Sequence, residues 1–502
     1  MSADVKPEFS KWRAFFWPVH AFELKKIIPM LLMFFFISFN YTILRDTKDT
    51  LLVTSSAGAE AIPFIKVWGV VPAAILFTLI YAKLSNILSR ENLFYVTILP
   101  FLIFFGLFVT VIYPNMSVLQ PNALADSLKA SLPVGASGFV ESIRNWPFGL
   151  FYILAELWGS VVLSLLFWAF ANDTTKVSEA KRFYALFGLG ANLALVVSGP
   201  TIVLVSNIRD SLPPGVDAWQ VSLNYLMSFV VIAGLAVIAI YWWINRRVLT
   251  DSRFFDPSEV KARKVKPKMS IMESLSFLAK SKYILCIAAL VISYGICINL
   301  VEVTWKSQLK LQYPNQNDYS RFMGYFSFCT GIVTIFMMLF VGGNAMRKSW
   351  GFAAILTPIV LLLTGTAFFS FVLFKDSLNS YIAALGTTPL FLAVIFGAIQ
   401  NIMSKSSKYS LFDPTKETAY IPLDPESKVK GKAAIDVVGA RLGKSGGSLI
   451  QQGLLIACGS ISAITPYIAL ILFVFIGIWI VAVRSLSRQF NQLTSVKVGV
   501  QS

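Results

Sequence analysis

Long apolar stretches recur along this chain, and no other feature restricts its fold as much. A bilayer-crossing helix needs about 20 consecutive, mostly apolar residues. Such stretches occupy residues 27–52, 62–83, 93–113, 147–171, 182–206, 221–245, 277–303, 321–342, 351–374, 384–403, 433–458 and 462–484. They predict an all-α membrane protein of twelve transmembrane helices. The chain has 502 residues, of which 56% are hydrophobic and only 14% charged. An ordinary soluble domain carries roughly 25% charged residues, so this chain has too few to cover a surface facing water.

The net charge of +17 is unevenly spread. The connection after the sixth stretch carries Arg246, Arg247, Arg253, Lys261, Arg263, Lys264, Lys266 and Lys268, and the one after the tenth carries Lys405, Lys408, Lys416, Lys428, Lys430 and Lys432. After the ninth, Lys375 is balanced by Asp376. Positive charge collects on cytoplasmic loops, so both termini are expected in the cytoplasm. The expected organisation is a cytoplasmic segment (1–26), a six-helix bundle (27–245), a basic cytoplasmic linker (246–276), a second six-helix bundle (277–484) and a cytoplasmic tail (485–502). A faint repeat supports two halves. Asp173-Thr174-Thr175-Lys176 follows the fourth stretch and Asp413-Pro414-Thr415-Lys416 the tenth, while Asn40 and Asn299 occupy similar places in the first and seventh. Six plus six helices, with the binding site near mid-membrane between the halves, is a plan of secondary transporters. The first stretch is too long for a signal-peptide core and lacks a following cleavage site, so the N-terminal segment is expected to be retained.

Several kinds of chemistry are excluded by count. His20 is the only histidine, which removes histidine acid–base and metal chemistry. Cys286, Cys297, Cys329 and Cys458 all lie in apolar stretches without a C-x-x-C pair, so neither a disulfide framework nor a metal knuckle is expected. Gly443-Lys444-Ser445 resembles the end of a phosphate-binding loop, but Val438 stands where that motif needs glycine and no strand precedes it. The basic linker needs no nucleic-acid partner, because membrane topology accounts for it.

Charges inside the apolar stretches carry the functional signal, since each costs at least about 2.5–3.5 kcal/mol at mid-membrane. Arg45 and Lys48 share a face near the end of the first stretch, with Asp49 at the i,i+4 position from Arg45. Glu156 lies inside the fourth on a side chain too short to reach the interface. Glu302 lies near the end of the seventh, with Lys306 as its i,i+4 partner. Arg441 and Lys444 share a face in the middle of the eleventh, one turn before Ser448. For the first and seventh stretches an interfacial position remains the alternative. Two cations as deep as Arg441 and Lys444 point instead to a hydrated cavity for a polyanion. Phosphate groups would supply the partners such buried cations require, and an empty carrier would pay a desolvation penalty that favours exchange over leak.

The segments Phe39–Leu52 (FNYTILRDTKDTLL), Ala155–Val161 (AELWGSV), Ala180–Ala191 (AKRFYALFGLGA), Tyr294–Lys310 (YGICINLVEVTWKSQLK) and Lys430–Gln452 (KGKAAIDVVGARLGKSGGSLIQQ) resemble the bacterial and plastidial ATP/ADP translocases over essentially the whole chain. The short N-terminus and the 114–145 loop look most like chlamydial members of that family. The resemblance implies a major-facilitator-like carrier of two pseudo-symmetric bundles that imports host ATP in exchange for ADP by alternating access, with or without inorganic phosphate. Its setting would be the inner membrane of an intracellular bacterium. In that family four charged positions are tied to transport, and they fall on Lys48, Glu156, Glu302 and Lys444. The major-facilitator signature expected between the second and third spans is not visible in Tyr81–Arg90 (YAKLSNILSR).

The resulting expectation has Lys48, Lys444, Arg45 and Arg441 on the phosphate chain. Glu156 and Glu302 balance the empty cavity or contact sugar and base, and Asn299 and Tyr294 hold the purine. No bond in the nucleotide breaks, no cofactor or metal is needed, and a monomer in the lipid bilayer is expected. The alternatives are a broader-specificity nucleotide exchanger, a proton-driven nucleotide importer, a membrane enzyme or flippase for a phosphorylated lipid, and a non-transporting scaffold.

Overall fold

The structure is a computed structural model describing residues 10, 13, 17–251, 254, 273, 281–435 and 439–501, with the side chains at 177, 178, 181, 425, 440, 441, 444 and 496–501 outside the description. Most of the 246–276 linker is likewise outside the described residues. What is described is nearly all helical. Eleven helices are long and apolar enough to cross a membrane. In chain order these are α1 (Leu24–Thr54), α2 (Ala61–Ile87), α3 (Arg90–Leu119), α4 (Trp146–Thr174), α5 (Val177–Ser206), α6 (Ala218–Arg247), α7 (Lys282–Gln312), α8 (Gln316–Lys348), α9 (Trp350–Leu373) and α10 (Pro389–Ala419), with α12 (Ile461–Gln501) closing the chain. Between α10 and α12 lies α11 (Ala440–Cys458), 19 residues long and more polar, which is not among those eleven.

Side-chain caps start several of these helices. Asp217 accepts from Trp219 N and Gln220 N at 3.0 Å to open α6, and Ser349 and Thr388 accept from Phe352 N and Phe391 N to open α9 and α10. Gly459, at φ 90°, ends α11 in the left-handed conformation that glycine adopts freely.

The packing is pseudo-symmetric. In the first half α1 packs against α4, α5 and α6, and α3 against α6; in the second, α7 packs against α10, α11 and α12, and α9 against α12. The halves meet through two further equivalent pairs, α5 with α8 and α2 with α11. Widened π-helical turns recur in both halves: Ile65–Val70 in α2 and Trp158–Leu166 in α4, Met337–Gly342 in α8 and Lys408–Phe412 in α10. An indole fixes each inner helix pair. Trp158 donates to Ile37 O at 3.1 Å, tying α4 to α1, and Trp305 donates to Val394 O at 2.9 Å, tying α7 to α10.

Several helices run past the ends the apolar pattern predicts, α12 by the most, to Gln501 rather than 484. α7 runs on to Gln312, well past 303, so Lys306 lies inside it. α10 runs to Ala419, so Lys405 and Lys408, read from the sequence as loop charges, lie within a membrane helix. Apolarity marks the lipid-facing length of a helix, whereas a stretch that faces the other half can stay helical and polar.

The halves are joined at the face opposite the start of α1, called the far face below. There Lys310 donates to Ser55 O at 2.8 Å, Arg209 pairs with Asp318 at 2.8 Å, and Asn317 donates to Ser222 Oγ at 2.7 Å. Residues between α3 and α4 form a cap that includes the short helices Asn122–Ser131 and Ser137–Arg144. Gly135 in this cap presses on the backbone of Leu455 and Ile456 in α11, where a methyl group would overlap. At the face where α1 begins, the described ion pairs stay within one half: Lys26–Glu179, Arg182–Glu23 and Arg90–Asp173 in the first, Lys408–Asp413 and Lys432–Glu417 in the second. No residue of Val71–Ile87 in α2 is buried. Among the described residues, the ion pair and hydrogen bonds that tie the halves together at a membrane end lie on the far face.

The α5–α8 seam depends on small residues. A Cβ at Gly324 would lie 2.8 Å from Gly199 O and 2.8 Å from Val203 Cγ2, and one at Gly331 would lie 2.9 Å from Asn192 O. Close helix approach of this kind is how membrane helices gain packing contacts. Gly324→Val is expected to destabilise the protein by about 1–3 kcal/mol through overpacking, whereas Gly343→Ala, with nothing within 4 Å, is not. Thermal unfolding of the purified variants in detergent measures the difference.

Candidate functional site

Charged side chains from both halves meet deep between the bundles. On α1, Asp46, Lys48 and Asp49 are almost completely buried, and Arg45 is 12% exposed. Lys48 Nζ lies 2.9 Å from Asp49 and 3.2 Å from Glu156 of α4, and 3.8 Å from the centre of the Tyr152 ring. Asp49 in turn receives Lys306 of α7 at 2.8 Å, and Lys306 reaches its own-helix partner Glu302 at 3.0 Å. Lys66, from the π-helical turns of α2, donates to Asn299 Oδ1 at 2.8 Å and lies 3.5 Å from Glu302. Arg45 pairs with Asp46 at 3.0 Å and donates to Ser327 Oγ of α8 at 2.7 Å, while Ser327 donates to Asp46.

Local sequence explains the convergence. Gly159 lets α4 approach α1, since a Cβ there would meet the Tyr41 ring at 2.5 Å, and Glu156 lies one turn earlier, just before the π-helical turns. Such turns often accompany functional sites. On α7 the i,i+4 spacing stacks Glu302 and Lys306 on one face, which also brings Asn299 round to Lys66.

The energetics turn on desolvation. A buried ion pair contributes little net stability, yet removing one member costs about 3–5 kcal/mol because a bare charge remains. Here cations and carboxylates alternate, so most of the described charges have an opposite neighbour in the unliganded chain. Glu156 and Glu302 keep 31% and 21% side-chain exposure, so the cluster borders open space. In such an arrangement the lysines can turn from a neighbouring carboxylate to an incoming anion. Among the described residues no group of three or more His, Cys, Asp or Glu could hold a metal ion.

The structure brings together five of the residues singled out from sequence: Arg45, Lys48, Glu156, Asn299 and Glu302. Arg45 takes Asp46 and Ser327 as its direct partners in place of the expected i,i+4 Asp49, which is held between Lys48 and Lys306. Tyr294 sits apart. Its ring is 7% exposed, stacked 4.8 Å from Phe412 and edge-on to Trp479, inside the second bundle. Arg441 and Lys444 have side chains outside the described residues; their helix crosses α7 with Gly443 against Gly295.

Sequence reasoning missed Lys66 and the cross-half roles of Asp49 and Lys306. Lys66 is a single charge near the start of an apolar stretch and reads as interfacial; its only signal was that the apolar pattern continues on both sides.

A profile of the TLC ATP/ADP transporter family matches residues 2–490. The chain is 60% identical over 499 residues to ADP,ATP carrier protein 1 of Chlamydia trachomatis, covering 99% of this chain and 94% of that one. It is 56% identical over 478 residues to the chloroplastic ADP,ATP carrier protein 1 of Arabidopsis thaliana (95% and 76%) and 45% identical over 492 residues to ADP,ATP carrier protein 1 of Rickettsia bellii (97% and 97%). Among solved structures, a bacterial homologue of the iron transporter ferroportin superposes with a TM-score of 0.58 at 11% identity, covering 93% of this chain and all of that one. A D-xylose-proton symporter superposes with a TM-score of 0.54 at 11% identity, covering 92% and 96%. These place the chain in the major-facilitator type of fold. By the extent and identity of the sequence matches, the chain belongs to the TLC ATP/ADP transporter family.

Proposed function

We propose that this protein exchanges ATP for ADP across a membrane by alternating access, without breaking any bond in the nucleotide. The observation that carries the reading is the Lys306–Asp49 pair, 2.8 Å long, which joins α7 of one half to α1 of the other inside a lattice of further charges. In a chain whose relatives are named ADP,ATP carriers, a charge lattice across the two moving parts fits a polyanionic substrate.

The mechanism follows from those contacts. The phosphate chain binds Lys48, Lys306, Lys66 and Arg45, with Lys444 added by the family likeness and Arg441 by the helix face it shares with Lys444 in the sequence. As phosphate oxygens approach, Asp49 and Glu302 give up their lysines, and one set of charge-assisted hydrogen bonds replaces another. The pairs that bridged the halves are then carried through the ligand, and the halves are free to rock. Without substrate the bridges hold, and the far-face contacts stay shut. Exchange is thus favoured over one-way leak. Asn299, hydrogen-bonded to Lys66, is placed to sense a bound nucleotide, and Tyr294 acts on the base only if the second bundle opens around Phe412.

The positive-inside count supports an inner-membrane orientation with both termini cytoplasmic. In an intracellular bacterium the gradients would then draw host ATP inward and ADP outward. Inorganic phosphate travelling with ADP, and a monomeric working unit, belong to the same reading.

Three outcomes are expected. Proteoliposomes loaded with unlabelled ADP take up labelled ATP at least tenfold faster than empty ones; with GTP, CTP and UTP run in parallel, equal uptake of all four indicates a broad exchanger, and uptake into empty vesicles under a proton gradient indicates symport. Lys306→Gln lowers ATP/ADP exchange at least about a hundredfold, since it removes both a phosphate ligand and the bridge; exchange within twofold of wild type takes Lys306 out of the site. Asp49→Asn, which leaves Lys306 and Lys48 each one carboxylate, raises uptake into empty vesicles relative to loaded ones; an unchanged ratio refutes its role as a clamp.

A further inference from the structure

Lys405 differs from every other described cation on the chamber wall. Arg45 has Asp46, Lys48 has Asp49 and Glu156, Lys66 has Glu302, and Lys306 has Asp49 and Glu302. Lys408, one turn further along α10, has Asp413 at 3.2 Å. The Lys405 ammonium has no described carboxylate within ion-pair distance, and it sits 4.8 Å from the centre of the Phe326 ring.

Its position is informative. Helical side chains lean toward the N-terminus of their own helix, and α10 starts on the far face, so Lys405 reaches back into the membrane toward the level of Arg45. Phe326, over which it lies, precedes Ser327, the residue that holds Arg45. The charged groups that act on it are Arg45, Glu302, Lys306 and Asp46, the first of them a second cation.

An unpaired cation in a low-dielectric setting is costly, and a ring face offsets only part of that cost. Leaving it unpaired is explicable where an anion completes the site. We propose that Lys405, together with Arg45, is the seat for one phosphate group, either the terminal phosphate of a nucleotide or an inorganic phosphate in its place. A terminal phosphate carries close to two negative charges, which matches two cations of which only Arg45 has a carboxylate, Asp46, in direct contact. This inference rests on the exchange reading above but differs from it in kind. The paired lysines must release a carboxylate before they can bind, whereas Lys405 is ready beforehand and gives the arriving phosphate its first contact.

The trade between stability and binding supplies the test. Purified wild type, Lys405→Met and Lys405→Arg are compared by thermal unfolding alone and with tripolyphosphate, inorganic phosphate, ATP or ADP, and by the KM of ATP uptake into ADP-loaded vesicles. Unliganded Lys405→Met is expected to unfold at the wild-type temperature or above it. It should lose most of the phosphate-induced shift and show a KM raised about tenfold, with Lys405→Arg restoring most of both. A shift by inorganic phosphate that disappears in Lys405→Met assigns free phosphate to the seat; one confined to tripolyphosphate and the nucleotides assigns the terminal phosphate. The proposal is overturned if Lys405→Met keeps the wild-type shift, if it unfolds earlier when unliganded and keeps its KM, or if no phosphate compound stabilises wild type. Stabilisation by tripolyphosphate without any vesicle exchange would leave the seat standing and remove the transport reading.

Discussion

The contact between Lys306 of α7 and Asp49 of α1 is the point on which the two halves depend. Each group offsets the other's burial, and each has a second partner, Glu302 for Lys306 and Lys48 for Asp49. Lys66 extends the lattice to α2, Glu156 to α4, and Arg45 through Ser327 to α8. The inner helices are thus held in register by charge, while the outer ones are held by apolar packing. In a low-dielectric interior such a lattice is stable only when complete, so a ligand that enters must supply partners as fast as it removes them.

The packing that surrounds the lattice is built to let it move as two bodies. Within each half, Trp158 and Trp305 spend a single indole hydrogen bond on the inner helix pair. Between halves, glycines let α5 and α8 approach closely, as at Gly199, Gly324 and Gly331. A smooth seam of that kind resists separation but offers little resistance to tilting. The π-helical turns near Lys66 and Glu156 occur in the same helices that bring charges to the centre.

Much of the fold was legible in the sequence because lipid imposes one rule at a time: an apolar length of about 20 residues means a crossing. The candidate site was legible to the extent that a charge broke that rule. Arg45, Lys48, Glu156 and Glu302 were visible as charges in the wrong solvent. Lys66 was not, because a lone cation near the start of a crossing looks like an anchor at the interface. Lys405 reads from the sequence as a loop charge, because α10 stays helical beyond its apolar part. Partner choice was also out of reach. Helical spacing offered Asp49 to Arg45, but α8 brings Ser327 in from the other half, and Arg45 and Asp46 close around it. Tyr294 lies on the right helix, yet Phe412 and Trp479 fill the space beside it.

The two seams between the halves are unequal. Along α5 and α8, contacts continue from Ser206 with Ser320 through Gly199 with Gly324 and Asn192 with Gly331 to Gly188 with Met338. Along α2 and α11 they are confined to the far-face end, near Gly135 and Leu455. The gap between the bundles is consequently a wedge rather than a tube, narrow along one flank and widest at the opposite one. A flat, bulky solute entering it meets a slot with a preferred roll angle, and lipid tails bordering the wide flank lie closest to whatever the slot contains.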